Sequence, residues 1–82
     1  MTYKITVVSA KWCAQCAILK SNLTQANIMY YAVDADTVEG MDYCAENGVR
    51  GLPTTVITDE EGKVVRNIVG LQPVSVFQEY VS

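Results

Sequence analysis

Cys13-Ala14-Gln15-Cys16 follows directly on a β-branched run and leads directly into a run of helical character, with Trp12 in front of it. A strand that ends in a cysteine pair and turns into a helix restricts both the fold and the chemistry. The three-position spacing lets one thiol attack a disulfide and the other release the product. In a short chain such a pair after a strand is read as a thiol–disulfide exchange site.

The rest of the composition narrows the alternatives. With 82 residues the expectation is one domain, spanning 1–82. Half the residues are apolar, too many for disorder. The net charge is −3, there is no histidine, and the six basic residues are scattered without a stripe, which excludes an ordinary nucleic-acid binder. Residues 1–10 contain Ile5, Val7 and Val8, but the apolar run is too short for a signal peptide. No stretch approaches the ~20 apolar residues of a membrane helix. The expected compartment is the cytosol, where structural disulfides are rare. Three cysteines then fit one reactive pair plus a lone thiol better than a disulfide scaffold.

Periodicity gives the order of elements. Tyr3–Ser9 is β-branched and reads as a buried central strand. From about Ala14 to Ala26, Ile18, Leu19, Leu23 and Ala26 form a helical stripe while Lys20, Asn22 and Gln25 face water, and Asn27 is a stop. Met29–Val33 is a second strand, with one of Tyr30 and Tyr31 facing the core, ended by Asp34-Ala35-Asp36. Asp36 or Thr37 caps a second helix over Val38–Glu46, which Asn47-Gly48 closes. Pro53 opens a third strand, Thr54–Thr58. Asp59–Gly62 turns a hairpin into a fourth, Val64–Val69. After Gly70-Leu71-Gln72, Pro73 suits the first turn of a last helix running to about Val81. The order is β-α-β-α-β-β-α, an α/β fold. Its first two strands are expected to be parallel through a right-handed crossover, and its last two antiparallel.

This order, with the motifs on it, resembles the thioredoxin/glutaredoxin superfamily over the whole chain. Trp12-Cys13-Ala14-Gln15-Cys16 stands where that superfamily keeps its active-site motif. Gly48-Val49-Arg50-Gly51-Leu52-Pro53-Thr54 resembles the thioredoxin segment carrying a cis-proline. Glu61-Gly62-Lys63-Val64 and Val69-Gly70 resemble its hairpin and following glycine. The resemblance implies the minimal thioredoxin-like fold, a four-stranded mixed sheet with flanking helices. Ordinary thioredoxins carry a further N-terminal strand and helix, so this chain has glutaredoxin dimensions with thioredoxin-like motifs. Small redoxins serving ribonucleotide reductase share that mixture, and their loop before the last helix resembles Gly70-Leu71-Gln72-Pro73.

Two departures stand out. Thioredoxins usually have a buried aspartate six residues ahead of the first cysteine, where this chain has Val7, so proton transfer to Cys16 must use water or another group. Of the glutaredoxin glutathione site, Lys11 is an approximate match, and Gly70-Leu71-Gln72 does not match the usual Gly-Gly-then-Asp signature.

The residues divide by expected role. Cys13, just before a helix, faces unpaired amides and the positive end of the dipole, which favour a thiolate and lower its pKa below the free value of about 8.5. It is the expected nucleophile. Cys16, in the first turn, is the expected resolving thiol. The alternative is a pair of buried structural cysteines. A zinc site takes four ligands, and only Cys44 is left to join the pair, so no closed single-chain site is expected; a cluster shared between two chains is the alternative. Ala14 and Gln15 tune the dithiol–disulfide balance.

By resemblance, Trp12 is an exposed partner contact, against core packing as the alternative. Pro53 follows a cis bond that exposes the backbone of Leu52 to a substrate strand, against a trans strand-starting proline. Gly70 and Leu71 complete an apolar rim with Trp12 and Leu52, or simply form a turn. Cys44 reads as a bystander. Asp34, Asp36, Glu60 and Glu61 read as solvated loop acids, with a proton-transfer role for Asp34 as the alternative. The function that emerges is a monomeric, cytosolic protein-disulfide reductase needing no cofactor. Thioredoxin reductase is its expected electron donor, glutathione the second choice, and ribonucleotide reductase a candidate client. A redox-inactive binding module is the rival reading.

Overall fold

A computed structural model describes residues 2–81 and places seven elements along the chain. They are β1 (Lys4–Ser9), α1 (Ala14–Gln25), β2 (Tyr31–Asp34), α2 (Val38–Asn47), β3 (Thr54–Thr58), β4 (Val64–Val69) and α3 (Val74–Gln78). The strands form one mixed sheet in the order β2-β1-β3-β4. β1 runs parallel to β2 and antiparallel to β3, and β3 runs antiparallel to β4. The α/β order and the mixed four-stranded sheet are those the sequence leads one to expect.

β1 and β3 are central because they carry apolar or β-branched residues on both faces, and the sheet is covered on both sides. Ile5 to Ser9 and Thr54 to Thr58 are buried without interruption. One face gathers Ile5, Val7, Ile57 and Ile68 with Leu19 and Leu23 of α1 and Phe77 of α3. On the other face Val8 and Val56 are buried. There Asn67 donates its side-chain amide to the Asn47 carbonyl at the end of α2 (2.8 Å), which ties α2 to that side.

The hairpin is set by Asp59. Its carboxylate accepts the amides of Glu61 and Lys63, both at 2.9 Å, and Gly62 takes a positive φ of 84°.

Several boundaries differ from expectation. α1 stops at Gln25, because Ala26 caps it and Asn27 turns to φ 59°. Its buried positions are Cys16, Leu19 and Leu23. Ile18 lies roughly 130° round the helix from that stripe and is exposed. β2 begins at Tyr31 rather than Met29. Ile28 is the residue that anchors the connection, buried in the core with its amide on the Leu23 carbonyl (2.9 Å). Of the tyrosine pair, Tyr30 packs against the core and Tyr31 is exposed. α3 ends at Gln78 instead of near Val81, and Pro73 is its N-cap rather than a first-turn residue, with ψ at 149°. Two valines in a five-residue helix give it little intrinsic helical preference.

Candidate active site

The site is assembled where four loops meet at one end of the sheet. Ser9 at the end of β1 pairs with Asp34 at the end of β2, and Val8 pairs with Thr54 at the start of β3. Thr54 pairs in turn with Val69 at the end of β4. The segments leaving those ends carry Trp12 to Cys16, Asp36, Leu52-Pro53 and Gly70-Leu71.

Cys13 is the N-cap of α1. Its backbone is extended (φ −93°, ψ 104°), and its sulfur accepts the amide of Cys16 at 3.2 Å. A thiol seldom fills the place of a capping oxygen, and here it faces an orphan helix amide and the positive end of the dipole. No acidic side chain in the first turn opposes that field. Cys13 and Cys16 are joined as a disulfide with their Cα atoms 5.3 Å apart. The two sulfurs are not equivalent: Cys13 is half-buried, and Cys16 is 1% exposed. The chemistry open to such a pair is asymmetric thiol–disulfide exchange through the outer sulfur.

Trp12 is 71% exposed, which rules out core packing. Its indole N–H donates to Asp36 Oδ2 at 2.9 Å. The sequence reads Asp36 as a solvated loop acid, and this contact is the site feature that sequence reasoning misses. Asp36 is fixed from below by a chain of short-range bonds. The Asp36 amide donates to Asp34 Oδ1 (2.9 Å), the Thr37 hydroxyl to the Asp34 carbonyl (2.8 Å), and the Gly40 amide to the Thr37 hydroxyl (2.9 Å). The Ala35 amide reaches the Ser9 carbonyl at 2.8 Å, tying the loop to β1. The signal available in sequence is the Asp-x-Asp-Thr run before a helix, a turn and cap pattern. The Asp34 carboxylate serves this turn.

The Leu52–Pro53 bond is cis. Pro53 is buried, and its carbonyl accepts the amide of Gly70 (2.8 Å), which joins the β4–α3 loop to the proline segment. Gly70 has φ 84°, a conformation glycine adopts without strain. The Thr54 hydroxyl closes the turn on the Gly51 carbonyl at 2.6 Å. Among the described residues no hydrogen bond uses the amide or carbonyl of Leu52. Leu52 is half-buried and Leu71 exposed. Val7, beneath the site, is fully buried in the apolar cluster. Cys44 lies half-buried on α2, where desolvation pushes its thiol pKa up. No cluster of three metal-ligating side chains occurs among the described residues.

A family model described as a thioredoxin-like domain matches residues 2–82. The chain belongs to the thioredoxin-like family. The SPbeta prophage-derived thioredoxin-like protein YosR of Bacillus subtilis is 31% identical over 61 residues, covering 74% of each chain. Among solved structures, a mutant thioredoxin from Halobacterium salinarum superposes with a TM-score of 0.81 at 25% identity, over 96% of this chain and 71% of that one. The Malassezia sympodialis thioredoxin Mala s 13 gives 0.78 at 22% identity, over 96% and 72%. A thioredoxin-like fold with a disulfide at Cys-X-X-Cys spacing makes this chain a thiol–disulfide oxidoreductase.

Proposed function

We propose that this thioredoxin-like chain is a protein-disulfide reductase in which Cys13 attacks and Cys16 resolves. The observation carrying this reading is the inequality of the two sulfurs, one half-exposed at a helix N-terminus and one enclosed. In the reduced state the Cys13 thiolate displaces one sulfur of a client disulfide. The S–S bond of the client breaks, and its released sulfur leaves with the electron pair. Cys16 loses its proton and attacks the mixed disulfide at the Cys13 sulfur. The second client sulfur leaves as a thiolate, so the client gains two electrons and the Cys13–Cys16 bond re-forms. A client strand docks on the unused amide and carbonyl of Leu52, beside cis-Pro53, as a local strand addition. Trp12, Gly70 and Leu71 flank it as the apolar rim.

Thioredoxin reductase is the proposed donor, since Gly70-Leu71-Gln72 departs from the glutathione-site signature. Ribonucleotide reductase is the proposed client class, on the resemblance to small redoxins, and the cytosol the proposed setting. The test is insulin reduction with NADPH and thioredoxin reductase, run beside glutathione with its own reductase. Cys13→Ser is expected to abolish turnover, and Cys16→Ser to trap the client on Cys13. Activity surviving Cys13→Ser would overturn the mechanism. Turnover with glutathione alone would overturn the donor.

A further inference from the structure

Resolution requires Cys16 to give up a proton, and Val7 beneath the site has no group to take it. Cys16 is 1% exposed, and the face of the sheet under α1 carries Val7 from β1, Ile57 from β3 and Ile68 from β4. α1 itself contributes Leu19 and Leu23, and α3 contributes Phe77. The ionisable groups of this layer lie at the other end of the molecule, where Tyr3 stacks edge-on against Tyr80 and Arg66 pairs with Glu79. At the rim, half-buried Lys20 of α1 and Asp34 of β2 line one cleft with Ser9 and exposed Lys11, and Asp34 Oδ1 is engaged by the Asp36 amide.

Two hydroxyl side chains lie on this face of the sheet, Ser9 of β1, 3% exposed, and Thr55 of β3. Thr55 is 0% exposed, and its hydroxyl oxygen has no hydrogen-bond partner in the protein. A buried hydroxyl without a hydrogen bond is destabilising, so its retention calls for a reason. The register places it. Thr55 pairs with Val7 on one side and Ile68 on the other, and both belong to the cluster facing α1. Along β3 it stands two positions after Pro53, the first inward residue below the proline. Along α1, Cys16 is the first buried position, one turn ahead of Leu19 on the same stripe. Thr55 and Cys16 therefore occupy the same top level of the layer between sheet and helix.

We propose that the Thr55 hydroxyl serves the Cys16 sulfur, donating a hydrogen bond to it in the opened, dithiol state and so stabilising its thiolate for the resolving step. In the disulfide the Cys16 sulfur is held on Cys13 by the bond between them. Opening the bond frees it to turn inward, while the Cys13 sulfur stays on the Cys16 amide. Thr55 takes no net proton. The proton leaves Cys16 for solvent or for the departing client thiolate, and the threonine holds the negative charge that remains. This inference rests on Cys16 being the resolving thiol, but its first readout needs no client.

The experiment compares Thr55→Val, which keeps the shape, with Thr55→Ser, which keeps the hydroxyl. Both cysteines of the reduced protein are titrated through their Cβ NMR resonances. Mixed-disulfide resolution and Cys13 alkylation are then timed at pH 7. Hydrogen bonds to charged groups are among the stronger ones, so Thr55→Val is expected to raise the Cys16 pKa by about one to two units and slow resolution about three- to fifteenfold. Cys13 alkylation stays unchanged, and Thr55→Ser behaves as wild type. The oxidised Thr55→Val protein is expected to melt no lower than wild type, which excludes misfolding as the cause. An unchanged Cys16 pKa, an equal effect on Cys13, or a serine variant resembling valine would each overturn the proposal. Failure of Cys16→Ser to trap a client would instead fault the assignment of thiol roles and leave the titration standing.

Discussion

Gly40→Ala separates two physical arguments by sign. Gly40 sits in the first turn of α2, where helix propensity alone makes alanine better than glycine by about 1 kcal/mol. The structure demands the opposite. A Cβ built on Gly40 would land on the Asp34 carbonyl group, backbone against backbone, and would also crowd the Thr37 hydroxyl at 3.0 Å. That carbonyl accepts the Thr37 hydroxyl at 2.8 Å and the Thr37 amide at 3.2 Å, while the Gly40 amide takes the cap bond at 2.9 Å. Relief means moving the β2–α2 junction. Forced overpacking costs about 1–3 kcal/mol, the lost cap about 1 and a lost hydrogen bond about 1. Set against the propensity gain, the net loss is about 2–4 kcal/mol. At ~4–8 °C per kcal/mol for a domain of this size, Tm falls by roughly 8–32 °C. The assay is a thermal melt followed by circular dichroism, with Asp42→Ala, an exposed change on the same helix, as control. The control is expected to stay within about 0.5 kcal/mol of wild type. A Gly40→Ala protein as stable as the control, or more so, would refute the close-approach argument and leave propensity as the governing factor.

Other outcomes follow from single contacts. Asp36→Ala removes the acceptor of the Trp12 indole at an exposed position, so stability is expected to change by less than about 1 kcal/mol. The KM for a protein client is expected to rise severalfold with kcat held, and Trp12 fluorescence to shift; an unchanged KM would remove Trp12 from the docking rim. Cys44→Ser is expected to leave insulin reduction unchanged, and alkylation under denaturing conditions to count one thiol in the oxidised wild type and none in the variant. In the native protein Cys44 is expected to alkylate more slowly at pH 8 than an unhindered thiol, because burial disfavours its thiolate. Its folded pKa lies above its unfolded one, so it adds no pH dependence near neutrality. It lowers stability only as pH rises through the alkaline range between the two.

What the sequence discloses is what local rules govern. β3 and β4 fall where the β-branched runs and the Gly-containing turn place them. α2 is bounded by Thr37 and Gly48, a side-chain cap and an αL glycine acting on their own neighbours. The Cys-X-X-Cys pair marks the strand-to-helix junction for the same reason. The features that stayed hidden depend on partners that only the fold brings together. Trp12 and Asp36 are 24 positions apart, and neither composition nor periodicity joins them. The need for Gly40 arises only once β2 brings the Asp34 carbonyl against α2. The solitary hydroxyl of Thr55 becomes visible only through register, since Thr54 beside it satisfies its own on Gly51. Ile18 misleads because an apolar residue off the stripe still counts toward a pattern read by eye.

Strand order also divides the work of the site. The two inner strands bring the covalent chemistry: β1 leads to Cys13, and β3 begins just after Pro53. The two edge strands bring the surfaces beside it, β2 through Asp36 to Trp12 and β4 through Gly70 to Leu71. Edge strands have bare backbone along one side, and here they are also the less enclosed. Tyr31 and Val69 are largely exposed, and Lys4 extends its ammonium over the Tyr31 ring at 4.5 Å, covering part of that edge. Local opening begins in segments with few buried contacts and spares the core strands until global unfolding. In the proposed function, fraying of β2 would loosen the rim at Asp36 and Trp12 before it reached the Cys13–Cys16 pair on β1 and α1.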